Sequence, residues 1–180
     1  MLFKIAIICD EAPDFFREIT IDSDANFLDL NNAILSACGY DDSQITSFCT
    51  CSDDWDEEQQ IVREDMGTTA ADQDIYIMAE TPLNELIEDE EQKLTFTFDP
   101  INNRIFFLEV TDIITGKHLD KAECTVSRGE APNQQSDFDL DFSDIIKKDA
   151  DKLDCDLDEY NNEEGYNEDE YNPDEYSTTE

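Results

Sequence analysis

The stretch from Leu94 to Val110 is the most apolar and most β-prone part of the chain, and it constrains the fold more than any other. Apolar residues alternate with Lys and Thr over 93–98, and this period of two predicts a strand with one buried face. Residues 99–103 then bring Asp, Pro and Asn, which favour a turn. Residues 105–110 form an almost continuous apolar run, which predicts a strand covered on both faces. The stretch therefore predicts the central hairpin of the core.

The N-terminal part of the chain predicts a second hairpin followed by an amphipathic helix. Alternating apolar residues indicate strands over 3–7 and 16–21. Apolar residues from Phe27 to Ala37 then recur every three or four positions, which is the spacing of a helix face. We expect the N-cap at residues 22–24, which are Asp, Ser and Asp, and a left-handed C-cap at Gly39.

The order of the remaining elements predicts an α+β protein. A second helix begins at Thr81 and Pro82, with Thr81 as its N-cap. The order strand–strand–helix–strand indicates a two-layer α/β roll, in which a β-grasp-like mixed sheet packs on helices. We expect this domain to span residues 1–153 and to include a last helix from Ser143 to Leu153. Docking of this helix on the body is favoured, and a short acidic amphipathic binding segment is the alternative. Further strands are predicted at 44–51 and 61–62, and residues 75–78 form a short apolar segment.

Residues 154–180 have a different composition and predict a disordered acidic tail. An acidic pair followed by tyrosine recurs there, and no aliphatic residue follows Leu157. Such a segment cannot offset its ordering entropy by burying apolar surface. Its tyrosines are candidate contact residues for a partner, in particular Tyr160, Tyr171 and Tyr176.

The formal net charge of -37 restricts the possible partners. Residues 1–136 carry 30 acidic and 8 basic side chains, a net charge of -22. Binding to nucleic-acid phosphates depends on clustered Lys and Arg, and anionic membranes repel such a chain, so both partners are excluded. A protein partner with a basic surface is favoured. Two alternatives remain: the charge only maintains solubility, or the body imitates DNA phosphates as an acidic inhibitor.

The N-terminus and the six cysteines predict a cytoplasmic protein. The first apolar run is only about five residues long and is followed by Asp10 and Glu11, which is unlike a signal peptide. No apolar stretch has the length of a membrane span. We therefore expect reduced thiols and no disulfide framework.

Cys49 and Cys51 lie two positions apart on a predicted strand, so that both thiols face one side. With Cys124 and His118 they would supply four zinc ligands. The short C-x-x-C pairs of such sites are missing, and buried thiols that act as small apolar groups are the favoured interpretation. The alternating aspartates at 137–141 and 154–158 lack the Gly and Glu positions of an EF-hand calcium loop.

His118 is the only histidine, and no G-x-S-x-G or comparable nucleophile motif accompanies it. We expect a solvated loop residue and assign no catalytic residue, cofactor or metal ligand. A metal-binding or hydrolytic enzyme that uses His118 is retained as an alternative.

Trp55 is the only tryptophan, and it lies among five carboxylates in the segment DDWDEE. Aromatic side chains dominate interface hot spots, which makes Trp55 a candidate contact residue. The favoured interpretation is that its ring covers an edge of the core.

Four segments of the chain resemble the plasmid pRiA4b ORF-3-like family, which also occurs as a passenger protein of an insertion element. They are the opening hairpin with FLDLNNAILSACGYDDSQITSF at 27–48, DDWDEEQQI with DMG at 53–67, TPLNELI with LTFTFD at 81–99, and SRGEAPNQ at 127–134. The resemblance implies an α+β roll with a β-grasp-like sheet and no established enzymatic activity.

The central hairpin departs from this family. Its members carry aromatic–Asp–Phe–Gly–Asp and then Trp and His, whereas here only Phe98 and Asp99 match and residues 100–107 differ. Asp99 is thus a candidate contact residue, and the chemistry of the family's polar cluster is not expected. The sequence predicts a non-enzymatic protein-interaction module.

Overall fold

A single mixed sheet and two helices form the part of the chain that the computed structural model describes, residues 1–64 and 75–135. In chain order the elements are β1 (Leu2–Ile8), β2 (Phe16–Asp22), α1 (Phe27–Cys38), β3 (Ser47–Cys51), β4 (Glu57–Val62), β5 (Ile75–Ile77), α2 (Leu83–Leu86), β6 (Lys93–Asp99), β7 (Arg104–Ile114) and β8 (Glu123–Arg128). The predicted α+β class is confirmed.

The eight strands are ordered β5-β4-β3-β6-β7-β1-β2-β8. Neighbouring strands are antiparallel except for β4 and β5, which are parallel, so the sheet is mixed as predicted. The predicted hairpin of β6 and β7 is confirmed and lies in the middle of this order. The β-grasp-like label is more specific than this topology establishes and stays a prediction.

One row of the core crosses four strands of the sheet. Ile61, Phe48, Phe96 and Phe106 occupy paired positions on β4, β3, β6 and β7, and none has exposed surface. The rings of Phe48 and Phe96 are 4.8 Å apart. Burial of each such side chain contributes about 1.5–3 kcal/mol. This row explains why the central hairpin is the most apolar part of the chain.

The prediction that β7 is covered on both faces was wrong. Phe106, Leu108 and Val110 are fully buried, whereas Ile105 and Phe107 are only half-buried. Side chains alternate between the two faces of a strand, so the apolar run supplies both the core and the opposite, outer face of the sheet. The apolar residues on the outer face are therefore not core residues.

The helix α1 packs its buried face against the core side of the sheet. Its predicted N-cap at residues 22–24 was wrong, because Asn26 caps the helix instead. The side chain of Asn26 accepts from Asp29 N at 2.8 Å, and the Asp29 carboxylate accepts from Asn26 N at 3.3 Å, which completes a capping box. The C-cap at Gly39 is confirmed, with a φ of 72°. The Phe27 ring lies 5.5 Å from that of Phe48 on β3.

Two further elements differ from the sequence expectation. The helix α2 has only four residues, and Thr81 does not cap it, because its hydroxyl donates to Ile77 O at 2.9 Å. The strand β8 was not predicted, since its residues are mostly polar and exposed. It pairs with β2 at the edge of the sheet, where period-two burial is weak.

A buried arginine joins β2, α1 and the end of β8. Arg17 donates to Ala37 O at 3.0 Å, to Arg128 O at 2.5 Å and to Gly129 O at 3.1 Å. Ala37 lies in the last turn of α1, where carbonyl groups lack helical partners and a cation is favourable. Arg17 therefore holds three segments together through backbone carbonyl groups.

The predicted last helix, the alternating aspartates at 137–141 and 154–158 and the predicted disordered tail all lie outside the described residues. Within the described ranges, no helix is both long and apolar enough to cross a membrane.

Candidate functional site

The outer face of the sheet carries an apolar patch, which we call the outer patch. Ile8 is its most exposed member, with 47% of its surface accessible, and the other members are half-buried. Large apolar side chains that lie together on a surface are typical of interaction sites. The patch consists of Ile8, Phe16, Trp55, Ile105 and Phe107.

The strand register makes the outer patch continuous. Ile8 on β1 pairs with Phe16 on β2 and with Phe107 on β7. Paired residues on adjacent strands have their side chains on the same face, with Cβ atoms about 5 Å apart. Three large apolar side chains therefore form one row across three strands.

Trp55 reaches the outer patch from the loop between β3 and β4. Ser52 Oγ accepts from Asp54 N at 3.3 Å and from Asp56 N at 3.2 Å, which shapes the loop. The Trp55 ring meets the Phe107 ring edge to face, with centroids 4.9 Å apart. The ring packs on the outer face of the sheet and is half-buried, and the expected cover of an edge of the core stays a prediction. A role in partner contact stays a prediction.

A cation also lies close to the indole of Trp55. Lys93 Nζ lies 5.1 Å from the centroid of the Trp55 ring and donates to Asp53 O at 2.5 Å. A cation over an aromatic face contributes roughly 0.5–1 kcal/mol at an exposed site. This contact adds to the packing of the ring against Phe107.

Asp99 is the last residue of β6 and is buried where the turn to β7 begins. Its carboxylate accepts from Ile101 N and Asn102 N, both at 3.2 Å, and lies 3.7 Å from the Arg104 guanidinium. These contacts stabilise the turn. The predicted partner contact at Asp99 gains no support from this geometry and stays a prediction.

Cys49 and Cys51 are buried, which confirms the favoured interpretation of these thiols. Burial raises the pKa of Cys49 to about 12 and also raises the pKa of Cys51. Cys124 lies on β8, at the far edge of the sheet from β3. The zinc set of Cys49, Cys51, Cys124 and His118 is therefore not assembled.

His118 lies in the loop between β7 and β8 and is 76% exposed. Its Nδ1 is 3.1 Å from Asp22 Oδ2, which also accepts from Leu119 N at 3.0 Å. Asp24 is close by, and one potential ligand atom from each of Asp22, Asp24 and His118 lies within 4.8 Å of the others. The end of β2 and the loop after β7 are far apart in the chain, and the fold brings their side chains together.

The pKa of Asp22 reflects these contacts. Burial raises the pKa of this carboxyl group. Hydrogen bonds from the backbone amides of Asp24 and Leu119 and from the His118 ring together lower the pKa by more, so the net shift is downward. Asp22 is therefore ionised at neutral pH. An ionised carboxylate beside a second carboxylate and an imidazole offers the donor types that divalent metal ions accept.

Among solved structures, a protein of unknown function from Methanosarcina mazei Go1 is similar to this chain, with a TM-score of 0.59 and 14% identity. The match covers 81% of this chain and 79% of the other, and at this identity it shows a shared fold alone. A search of the curated proteins finds no match. The sequence matches the family described as Plasmid pRiA4b ORF-3-like protein over residues 2–180, and the chain belongs to this family.

Proposed function

We propose that this protein is a non-enzymatic interaction module that binds a protein partner through the outer patch. The observation that carries the proposal is the row of Phe16, Ile8 and Phe107 on the solvent-facing side of the sheet, with Trp55 beside it. Aromatic residues contribute much of the binding energy in protein interfaces. Ile8 leaves nearly half of its surface in water, and a partner that covers it gains this apolar burial.

The proposal retains three further predictions from the sequence. They are the β-grasp-like character of the sheet, the disordered acidic tail at 154–180 and the cytoplasmic location. The free cysteines among the described residues are compatible with a reducing compartment. The acidic DNA-mimic alternative also stays a prediction.

The test compares the capture of partners by wild-type protein and by two matched variants. Ile8→Gln replaces the most exposed apolar residue of the outer patch without changing the charge. Ile45→Gln makes the same change at an isoleucine that is 61% exposed and precedes β3, outside the patch. Each immobilised protein is incubated with extract from its host, and the retained proteins are identified.

We expect one partner to be retained by wild-type protein and by Ile45→Gln, and to be lost with Ile8→Gln. The partner is then purified and its affinity for the three proteins is measured. Equal retention by all three proteins, with equal melting temperatures, would contradict a docking role for the outer patch.

A second candidate function is the binding of a divalent cation by Asp22, Asp24 and His118. The grouping of their ligand atoms within 4.8 Å favours it. An open groove of about 550 Å³ lies beside Asp22, between α1 and residues 119–122. The site would fit an ion that accepts carboxylate and imidazole ligands, such as Mn²⁺.

Calorimetric titration with Mn²⁺ tests this second candidate. Asp24→Asn should remove one binding event, whereas Asp89→Asn, which changes the charge equally at an exposed position elsewhere, should keep it. Identical titration curves for wild-type protein and Asp24→Asn would exclude the site.

A further inference from the structure

Two carboxylates lie beside the apolar row of the outer patch, on the same face of the sheet. Ala6 is two positions from Ile8 on β1, and it pairs with Glu18 on β2 and with Glu109 on β7. Residues two positions apart on a strand point to the same side. The carboxylates of Glu18 and Glu109 therefore flank the small side chain of Ala6, next to the exposed Ile8.

Three basic side chains on this face are engaged by other groups, and one of them is Arg128, whose guanidinium carbon lies 4.7 Å from the centroid of the Phe16 ring. Lys93 lies opposite Glu109 on β6, but its ammonium donates to Asp53 O at 2.5 Å. Lys4, the next residue of β1 on the same face, pairs with Asp112 at 3.2 Å. In the described ranges, Glu109 is exposed and has neither an ion pair nor a side-chain hydrogen bond. A negative charge is thus available beside an apolar surface.

The spacing of the two rows specifies the partner further. Glu18, Ala6 and Glu109 form a second row beside the apolar row of Phe16, Ile8 and Phe107. The two rows are two residues apart along each strand, which is about 7 Å. Positions i and i+4 of a helix are about 6 Å apart along its axis, and positions i and i+2 of a strand are about 7 Å apart. Either arrangement can place an apolar side chain on Ile8 and a cation beside Ala6. The small Ala6 side chain leaves room for the apolar stem of Lys or Arg.

We propose that the outer patch binds a cationic amphipathic segment of another protein, with its apolar side chain on Ile8 and its Lys or Arg between Glu18 and Glu109. This inference rests on the proposed function and names the chemistry of the partner. Charge complementarity carries it, because a cation relieves the repulsion between carboxylates on one surface and fixes the register of the bound segment.

A library of random peptides displayed on phage tests the inference. Peptides are selected on the full-length wild-type protein and counter-selected on Ile8→Gln, which removes peptides that bind only through net charge. We expect the enriched peptides to carry Lys or Arg two or four positions from a large apolar residue. Enriched peptides that are neutral or acidic would overturn the inference and leave the proposed function intact.

An enriched peptide without tryptophan is then titrated into the protein, with the fluorescence of Trp55, the only tryptophan, as the signal. The double variant Glu18→Gln, Glu109→Gln should bind about fivefold more weakly than wild-type protein. Glutamine retains the oxygen of Glu18 that accepts from Thr125 Oγ1 at 2.7 Å, so the fold should persist. The matched control Glu64→Gln, Glu80→Gln changes the net charge equally at exposed positions that follow β4 and β5, and it should bind normally.

Three other outcomes distinguish a failure of this inference from a failure of the proposed function. Equal weakening in both double variants would show that only overall charge matters, and it would overturn the inference. Failure to enrich any peptide over the Ile8→Gln counter-selection would contradict the proposed function itself. Concentration-dependent self-association of wild-type protein that is lost in Ile8→Gln would show that a second copy of the chain occupies the outer patch. This result would overturn the inference of a cationic segment.

Discussion

The indole of Trp55 stands almost perpendicular to the ring of Phe107, at 85° and with centroids 4.9 Å apart. Trp55 belongs to the loop after β3, and Phe107 belongs to β7, two strands away in the sheet. The contact brings the only tryptophan to the outer patch.

Replacement of Phe107 by Leu should release the Trp55 ring. An edge-to-face pair contributes about 0.5–1.5 kcal/mol beyond area burial, and we expect the free energy of unfolding to fall by about 1 kcal/mol. The fluorescence of Trp55 should shift to longer wavelength as the ring gains water. Phe16→Leu, on the same face, is the control and should leave the emission unchanged. An unchanged emission in Phe107→Leu would contradict the contact.

Two glycines with positive φ should respond very differently to alanine. At Gly129 an added Cβ would lie 2.3 Å from Asp14 O, whereas at Gly116 it would meet no atom within 4 Å. Gly116→Ala should therefore cost only the backbone strain of about 1 kcal/mol, and Gly129→Ala should cost more than about 2 kcal/mol. Chemical denaturation measures both, and equal losses would refute the close approach of the two segments.

Thiol reactivity should distinguish Cys124 from the other described cysteines. Cys124 is exposed, whereas burial raises the pKa of both Cys38 and Cys49 to about 12. At pH 8 these groups are almost entirely protonated, and the thiolate is the reactive form. In a chain with Cys155→Ser, Ellman's reagent should modify one thiol rapidly and the others only after unfolding. Rapid modification of several thiols would contradict the burial.

The contribution of Asp22 to stability should depend on pH. Its pKa is lowered in the folded protein, so the stabilisation is present above the pKa of the unfolded chain and is lost as the pH falls through the folded pKa. Asp22→Asn should reduce the free energy of unfolding at pH 7 and flatten its decline below pH 4. Asp120→Asn, whose carboxylate is exposed, is the control. Parallel pH profiles for wild-type protein and Asp22→Asn would refute the role of these contacts.

Local patterns explain why the central hairpin and α1 were predicted correctly. The period of two over 93–98 and the helical spacing over 27–37 reflect burial of one face, and each pattern is contained in consecutive residues. The left-handed conformation at Gly39 follows from the lack of a Cβ atom. The N-cap was predicted incorrectly because residues 22–24 and Asn26 all have capping side chains, and the choice depends on where the turn after β2 ends.

The candidate sites were less predictable, because they combine residues that are far apart in the chain. Trp55 was singled out because it is the only tryptophan and lies among carboxylates, but its contact with Phe107 depends on the order of the strands. His118 was identified as the only histidine, whereas Asp22 was considered only as a helix cap. The polar strand β8 gave no period-two signal, since an exposed edge strand does not have to alternate.

The sequence by itself determined that this chain forms an α+β protein around an apolar hairpin, because periodicity and turn residues act over short distances. The tertiary structure alone decided which apolar residues remain outside the core. β1 pairs with its neighbour β2 in a hairpin, but it also pairs with β7, which lies far away in the chain, and this second pairing brings Phe107 to Ile8 and Glu109 to Ala6. The hydrophobic pattern specifies which face of each strand is buried, whereas no pattern in consecutive residues specifies which distant strand becomes the neighbour.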